Sequence, residues 1–477
     1  MNAITAVENL VVTARAAAAD TPVADRLAAV DAHLAGPLRV AIAGRIKAGK
    51  STLLNALVGE RLAATDAGEC TKVVTTYEHA DTYRVEATMV DGSVRPLSFR
   101  TGDDGLVIDL GDADESTIAG ITVGWPASTL RTMTLIDTPG LESLNEHNSR
   151  RTLDFLGDDD GGAAGADAVV YLMRHLHRAD ADFLGSFMDR TVTGASPVNA
   201  IALLSRADEI GAGRLDAIES ARRIADRYAE HDDVHHLVAA VSPVAGLLAE
   251  AAATLRQDEY AVLQAVAAAP ESERRILLLS ADTFCDPERI DIPAEARRNV
   301  LRRLGLFGVR YAVERLTTAP DQSATDLARE LTDVSGVTEV RRLLTQLFEP
   351  RARLLQARTA LIAVRAAIND LHAIDPARAA GVRRALDEVD ASAHEFGELQ
   401  ALHLVVSGMC GLGPDAVREV EARLGDPDAA VPERDEILSG IERWRAHGSD
   451  VFATATDRAV SETKVRHYER AFGAQSS

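Results

Sequence analysis

The run Gly44-Arg45-Ile46-Lys47-Ala48-Gly49-Lys50-Ser51 places two glycines, an ammonium group and a hydroxyl at a spacing suited to gripping a polyphosphate. Triphosphate is densely anionic and must be bound without bulk intervening. Gly44 and Gly49 let backbone N–H groups face it, Lys50 reaches the β and γ phosphates, and Ser51 is placed to ligate Mg²⁺. Ala48 and Thr52 complete the phosphate-binding set. Asp137-Thr138-Pro139-Gly140 supplies a carboxylate that can hold the magnesium through water, with the Gly140 N–H free for the γ-phosphate. Ser205-Arg206-Ala207-Asp208 offers a second carboxylate, able to accept both the ring N–H and the exocyclic amino group of guanine, which adenine cannot match. The usual pattern there has Asn or Thr followed by Lys. Ser205 and Arg206 depart from it and keep only the aspartate. Ser242, in Val241-Ser242-Pro243, is assigned to a loop backing the base. A threonine must also close over the metal when the γ-phosphate is present: Thr71 is the choice and Thr65 the competitor. Ser51, Thr71 and Asp137 thus form the expected metal set, for GTP or GDP with Mg²⁺.

These residues need a sheet to position them. Leu38–Ala43 reads as a short buried strand running into the glycine-rich loop, and Ser51–Val58 as the helix whose N-terminus meets the phosphates. Strand-like runs recur at Val73–Glu78, Tyr83–Val90, Ile121–Trp125, Thr132–Ile136, Ala168–Met173, Ala200–Leu204 and Leu237–Val241. Helical stretches separate the later ones, the alternation of a mainly parallel α/β sheet. Asp91-Gly92 reads as a hairpin turn. From about Leu247 the apolar positions recur every three or four residues, predicting an extended all-α region. The expected organisation is N-terminal neck helices over 1–36, a GTPase domain over 37–349 with a helical insertion at 247–330, and a helical trunk over 350–477. The acidic glycine run at 157–165 reads as a loop.

Composition narrows the function classes. A net charge of −22 argues against a general nucleic-acid binder, which needs basic patches. Only Lys47, Lys50, Lys72 and Lys464 are lysines, and two of the four lie in the phosphate loop. The three cysteines, Cys70, Cys285 and Cys410, are far apart and show no metal spacing, as expected of reduced thiols in a cytosolic protein. Neither a signal peptide nor a membrane-spanning run is evident, so any membrane would be met from the side, at its inner face.

Residues 44–59, the Thr71 loop, Asp-Thr-Pro-Gly and the long helical C-terminus together resemble the bacterial dynamin-like proteins. The Ala/Arg-rich composition and Gly305-Leu306-Phe307-Gly308-Val309-Arg310 are similar to the actinobacterial, isoniazid-inducible branch. The resemblance implies GTP hydrolysis, dimerisation across the nucleotide face and membrane contact by the far tip. Catalysis in that family does not rely on a glutamine after Asp-x-x-Gly, and Leu141 fits. Dynamins orient the attacking water with a polar loop residue where this chain has Ile46. Lys47 stands where the guanylate-binding proteins carry an arginine acting in cis, so Lys47 joins Lys50 and Thr71 as a catalytic candidate; a solvated lysine is the other reading. Leu399–Gly413 and the cluster Arg297, Arg298, Arg302 and Arg303 are the lipid candidates, with a buried bundle helix and a solvated helix face as the plainer readings. The leading function is a membrane-reshaping or tethering GTPase. The alternatives are a regulatory GTPase switch acting through protein contacts and a slow scaffold paired with a sibling dynamin-like protein.

Overall fold

The structure, a computed structural model, describes residues 2–477 except 64–72, 103–104, 111–116, 140–164, 178–179, 182–183, 185–196, 232–233, 235–236, 289, 393, 407, 425–431 and 476–477. Helices α1 (Ala3–Ala18) and α2 (Ala24–Ala35) precede β1 (Leu38–Gly44) and α3 (Lys50–Val58). Strands β2 (Thr75–His79), β3 (Arg84–Met89), β4 (Val94–Pro96), β5 (Ser98–Gly102), β6 (Gly105–Asp109), β7 (Ile118–Trp125), β8 (Met133–Asp137), β9 (Ala168–Met173) and β10 (Ala200–Ser205) follow. Then come α4 (Ala217–Ala229), β11 (Val241–Val244), α5 (Gly246–Ala253), α6 (Gln257–Ala267), α7 (Glu271–Leu277), α8 (Ala281–Cys285), α9 (Ala294–Thr318), α10 (Ala324–Val334) and α11 (Val337–Leu343). The chain ends in α12 (Ala352–Ile374), α13 (Pro376–Ser392), α14 (His394–Val406), α15 (Pro414–Arg423), α16 (Arg434–Ser449) and α17 (Ala455–Gln475).

Nine strands form one sheet in the order β11-β10-β9-β1-β8-β2-β7-β3-β4. It is mainly parallel: five of its eight ladders run parallel, and the antiparallel ones are β2–β8, β3–β7 and β3–β4. The strand β1 is central, with β8 and β9 on either side, and all its side chains but Arg39 are buried. A strand so enclosed must be apolar throughout rather than alternating, which Val40-Ala41-Ile42-Ala43 supplies. Its C-terminal end opens where crossovers leave to opposite sides of the sheet, the place where open α/β sheets form a crevice.

The hairpin at Asp91-Gly92 joins β3 and β4 as the sequence predicts, with Gly92 at φ +81°. The strand expected over Leu237–Val241 lies instead at Val241–Val244. Leu237 and Val238 are buried apolar residues, but the Leu237 N–H donates back to the Val234 carbonyl in a turn, so this run fills the core before the ladder begins. Pro243 is tolerated because β11 is the sheet edge. The hairpin β5–β6, which forms its own two-stranded sheet, was not evident from pattern, its strands being short and mostly exposed.

Three apolar clusters lie on this frame among the described residues. The first joins the sheet core to α1, α2 and the C-terminal helices, and another packs Ala41, Ile136, Val169 and Ala200 of the central strands against Leu237 and Val238. Helix α1 is buried along an i, i+3, i+4, i+7 stripe (Ala3, Ala6, Val7, Leu10), and Gln356 Nε2 of α12 donates to the Gly36 carbonyl at 2.8 Å. A second cluster gathers α4 and the helices α5–α10 beside β10. Helix α11 passes through a π-helical turn (Leu344–Phe348) and a 3₁₀ turn holding Pro350 into α12. The C-terminal pair α16–α17 approaches closely because Gly440 faces the Tyr468 ring; a Cβ there would sit 2.6 Å from it. Glu419 of α15 ties the pair together, accepting from Trp444 Nε1 at 2.7 Å and the Tyr468 hydroxyl at 2.6 Å, with the buried Lys464 ammonium 3.4 Å away. Those bonds outweigh the opposing effect of burial and hold the Glu419 carboxyl down at about 2.

Candidate nucleotide site

The phosphate loop is shaped by positive backbone angles at Gly44 (φ +146°), Lys47 (φ +60°) and Gly49 (φ +95°). At Gly44 the requirement is steric as well, since a Cβ would lie 2.4 Å from the Leu172 carbonyl oxygen of β9. Gly49 precedes α3 in a left-handed conformation, and no side chain caps that helix. The first-turn N–H groups are therefore left for an anion, and the helix macrodipole adds to the attraction. Lys50 is buried and its Nζ donates to the carbonyls of Gly44 (3.2 Å) and Arg45 (3.3 Å), which folds the ammonium back over the loop. Ser51 Oγ donates to Asp137 Oδ2 at 2.7 Å. A hydroxyl from the first turn of α3 and a carboxylate from the end of β8 thus converge from positions 86 residues apart.

Asp137 is buried, and the buried Tyr77 phenol beside it is pushed well above its ordinary range by burial and then by that carboxylate. Thr138 turns the chain after β8 by donating its hydroxyl to the Ile42 carbonyl at 3.0 Å, which keeps Asp137 level with the phosphate loop. Two hard oxygen donors fit Mg²⁺, which keeps waters and phosphate oxygens as its other ligands. Among the described residues no cluster of three or more His, Cys, Asp or Glu suits a fully protein-bound metal. Thr65, Thr71, Gly140 and residues 157–164 of the acidic glycine run lie outside the described residues.

At the base end, Arg206 has a left-handed backbone (φ +54°) and Asp208 follows in a 3₁₀ turn after β10. Asp208 is buried, and burial first, then neighbouring Glu209, raises its carboxyl to about 6. Arg206 Nη2 donates to the Lys47 carbonyl at 2.9 Å while its Nη1 pairs with Glu209 at 2.8 Å. The departure from lysine at 206 thus still links the base loop to the phosphate loop, and it holds Lys47 in its left-handed conformation with the side chain exposed. Ile46 is half-buried. Ser242 is not in a loop: it lies buried within β11, opposite Leu203 of β10, because the strand starts later than its apolar run suggested. Thr52, in the first turn of α3, is half-buried near Gly246.

Sequence reasoning missed Asn55. It is buried in α3, its Nδ2 donates to the Ala63 carbonyl at 3.0 Å, and its Oδ1 accepts from the N–H groups of Leu62 (2.9 Å) and Ala63 (2.7 Å). It therefore anchors the chain just before residue 64, where the segment containing Thr65 and Thr71 begins. An asparagine amid the apolar positions of a short helix was the available signal.

The lipid candidates are corrected in part. Arg297 is wholly buried and donates to the carbonyls of Phe284, Asp286 and Ile292, and Arg303 is buried against Glu259 at 2.6 Å. The cluster therefore splits: Arg298 and Arg302 are exposed, whereas Arg297 and Arg303 hold the helices of the second apolar cluster together. Leu399, Ala401, Leu402 and Val405 are core residues of α14, the plainer of the two readings. No helix among the described residues is long and apolar enough to cross a membrane.

Comparison with known proteins shows the family. The dynamin family pattern matches residues 40–191. The isoniazid-induced protein IniC of Mycobacterium tuberculosis is 37% identical over 448 residues, covering 90% of this chain and 90% of that one. The chain belongs to the dynamin family. A bacterial dynamin-like protein of Nostoc punctiforme is 29% identical over 150 residues, 29% of this chain and 20% of its own. A chain of a solved oligomerised bacterial dynamin pair, put forward as a mechanism for long range sensing and tethering of membranes, superposes with a TM-score of 0.31 at 12% identity, over 100% of this chain and 75% of that one. This dynamin belongs to the bacterial, isoniazid-inducible branch, with the α/β domain and helical region that the sequence pattern predicts.

Proposed function

We propose that this dynamin hydrolyses GTP to GDP and phosphate with Mg²⁺, and that nucleotide-driven self-association acts on the inner face of the plasma membrane. The observation that carries the reading is the 2.7 Å meeting of Ser51 and Asp137 beside the folded-back Lys50, at the carboxyl end of the central parallel strands. In this reading Lys50 swings from its two carbonyl partners to the β and γ phosphates, and the uncapped N-terminus of α3 binds the remaining charge. Ser51 and Asp137 hold the metal, which when bound neutralises charge developing on the phosphates. Asp208 selects guanine, and Lys47, kept left-handed by Arg206, presents its ammonium to the same face. Thr71 closes with the γ-phosphate, and its release on hydrolysis reports the nucleotide state.

The trunk offers a surface for the membrane step. Val451 and Phe452, in the turn between α16 and α17, are 88% and 92% exposed, and Met409 of the loop before α15 is 46% exposed. Asp457 binds these two loops together, accepting from the Gly411 N–H (2.7 Å) and the Thr454 N–H (2.8 Å). This apolar tip takes in Met409 from the end of the Leu399–Gly413 stretch, and it is a better lipid wedge than the helical part of that stretch, which is spent on the core. Phosphate release measured across a range of protein concentrations, with anionic liposomes, tests the proposal. Turnover per molecule should rise with concentration and the protein should sediment with vesicles. A flat rate without sedimentation supports the regulatory switch, and very slow single-turnover hydrolysis supports the scaffold paired with a sibling dynamin.

A further inference from the structure

The base loop is held by a residue from far downstream, and that contact is open to experiment. After Asp208 the chain passes through three consecutive left-handed residues, Gly211 (φ +62°), Ala212 (φ +58°) and Gly213 (φ +68°). Two are glycines and bear this cheaply, but Ala212 has a Cβ and does not. Such a winding needs external support. Arg310 of α9 supplies it: its Nη1 donates to the carbonyls of Ala212 (2.9 Å) and Gly213 (2.7 Å). The other side of the same guanidinium donates from Nε to the Leu278 carbonyl and from Nη2 to the Leu279 carbonyl, each at 2.8 Å. One planar fork therefore joins the turn behind Asp208 to the segment after α7. A second contact reaches the carboxylate itself. Helix α9 breaks at Gly305 (φ +67°), where a Cβ would lie 3.3 Å from Asp208 Oδ2, and beyond that break Gly213 abuts the Phe307 backbone.

We propose that Arg310 is a positioning residue for purine specificity: it fixes the 210–213 turn so that Asp208 can accept both guanine donors at once. This rests on the assignment of Asp208 as the base-reading carboxylate. The device lies outside the phosphate loop and the recognised base motif, and it makes the helices between β11 and α11 part of the specificity apparatus. A fork with five N–H donors in one plane is required to hold four carbonyls from two directions, and lysine cannot reproduce it.

The test uses inosine triphosphate, which lacks the exocyclic amino group and so reports on the second hydrogen bond to Asp208. Dissociation constants for GTP and ITP are measured by calorimetry on the full chain, as wild type, Arg310→Ala and Arg310→Lys. The wild type should prefer GTP by about tenfold or more, as expected when a buried acceptor loses its donor. In Arg310→Ala the ratio should collapse toward about two, with Arg310→Lys between them. A purely structural arginine would weaken both nucleotides together and leave the ratio unchanged, and that result overturns the proposal. If the alanine variant does not fold, the lysine variant carries the test, and a wild-type ratio in it counts against the proposal. A wild type that binds nucleotide without preferring GTP to ITP refutes the assignment of Asp208 itself, and the proposal falls with it.

Discussion

The two ends of the proposed nucleotide site are built in different ways. At the phosphate end nearly everything is local: one strand, one loop and one helix, within residues 38–58, place Lys50 and Ser51, and from elsewhere come Asp137 and the Arg206 bond to the Lys47 carbonyl. At the base end Asp208 stands on a turn whose shape depends on Arg206 reaching back to Lys47 and on Arg310 reaching forward from α9. Backbone N–H groups suffice for a phosphate because any loop of the right curvature presents them. Choosing a purine needs a carboxylate held in one orientation, and a short turn does not hold itself. The phosphate grip is therefore expected to be robust and the base preference fragile.

The sharpest way to break this comparison is at the phosphate end. Lys50→Ala removes the only ammonium within the loop that is buried against it, and nucleotide affinity should fall by at least about a hundredfold for every nucleoside triphosphate alike. Fluorescence titration would check it, and a loss confined to GTP would contradict the division. At the base end, Asp208→Asn should exchange preference rather than abolish binding. GTP should weaken by about a hundredfold and xanthosine triphosphate should gain, since the amide donates where the carboxylate accepted. Competition binding against the two nucleotides decides it.

A smaller effect follows from the raised Asp208 carboxyl. Burial lifts it to about 6 in the free protein, so ionised Asp208 costs folding stability that is fully retained below about 3.8 and lost as pH rises through about 6. Guanine offers the donors that stabilise the ionised form. GTP affinity should therefore climb by up to about tenfold between roughly pH 5 and pH 7 and then level off. The step should vanish in Asp208→Ala, which separates it from titration of the phosphates.

The same division explains what could be read from residues alone. The phosphate loop was legible because its chemistry is contiguous, Asp137 because it ends a fully buried strand, and Asp208 because it stands in the turn just after one. The sheet was largely legible from its apolar runs. Ser242 was misplaced because burial of Leu237 and Val238 mimics a strand without joining the ladder. Asn55 and Arg310 were missed for a different reason: their hydrogen bonds go to backbone carbonyls and N–H groups, which have no residue-type signature. The arginine cluster at 297–303 shows the converse, a charge run that looked like surface and is half interior, because guanidinium groups satisfied by carbonyls or a carboxylate can be buried. The exposed tip at Val451-Phe452 carries too few apolar residues to stand out from a helical background, and only its exposure marks it.

The central claim is that this chain grips a triphosphate by its backbone and chooses guanine by one carboxylate. Calorimetric titration of the purified protein with GTP and with ATP in magnesium buffer addresses it most directly. We expect saturable binding of one GTP per chain and at least about a hundredfold weaker binding of ATP. Equal affinity for the two purines, or no heat with either, would contradict the account.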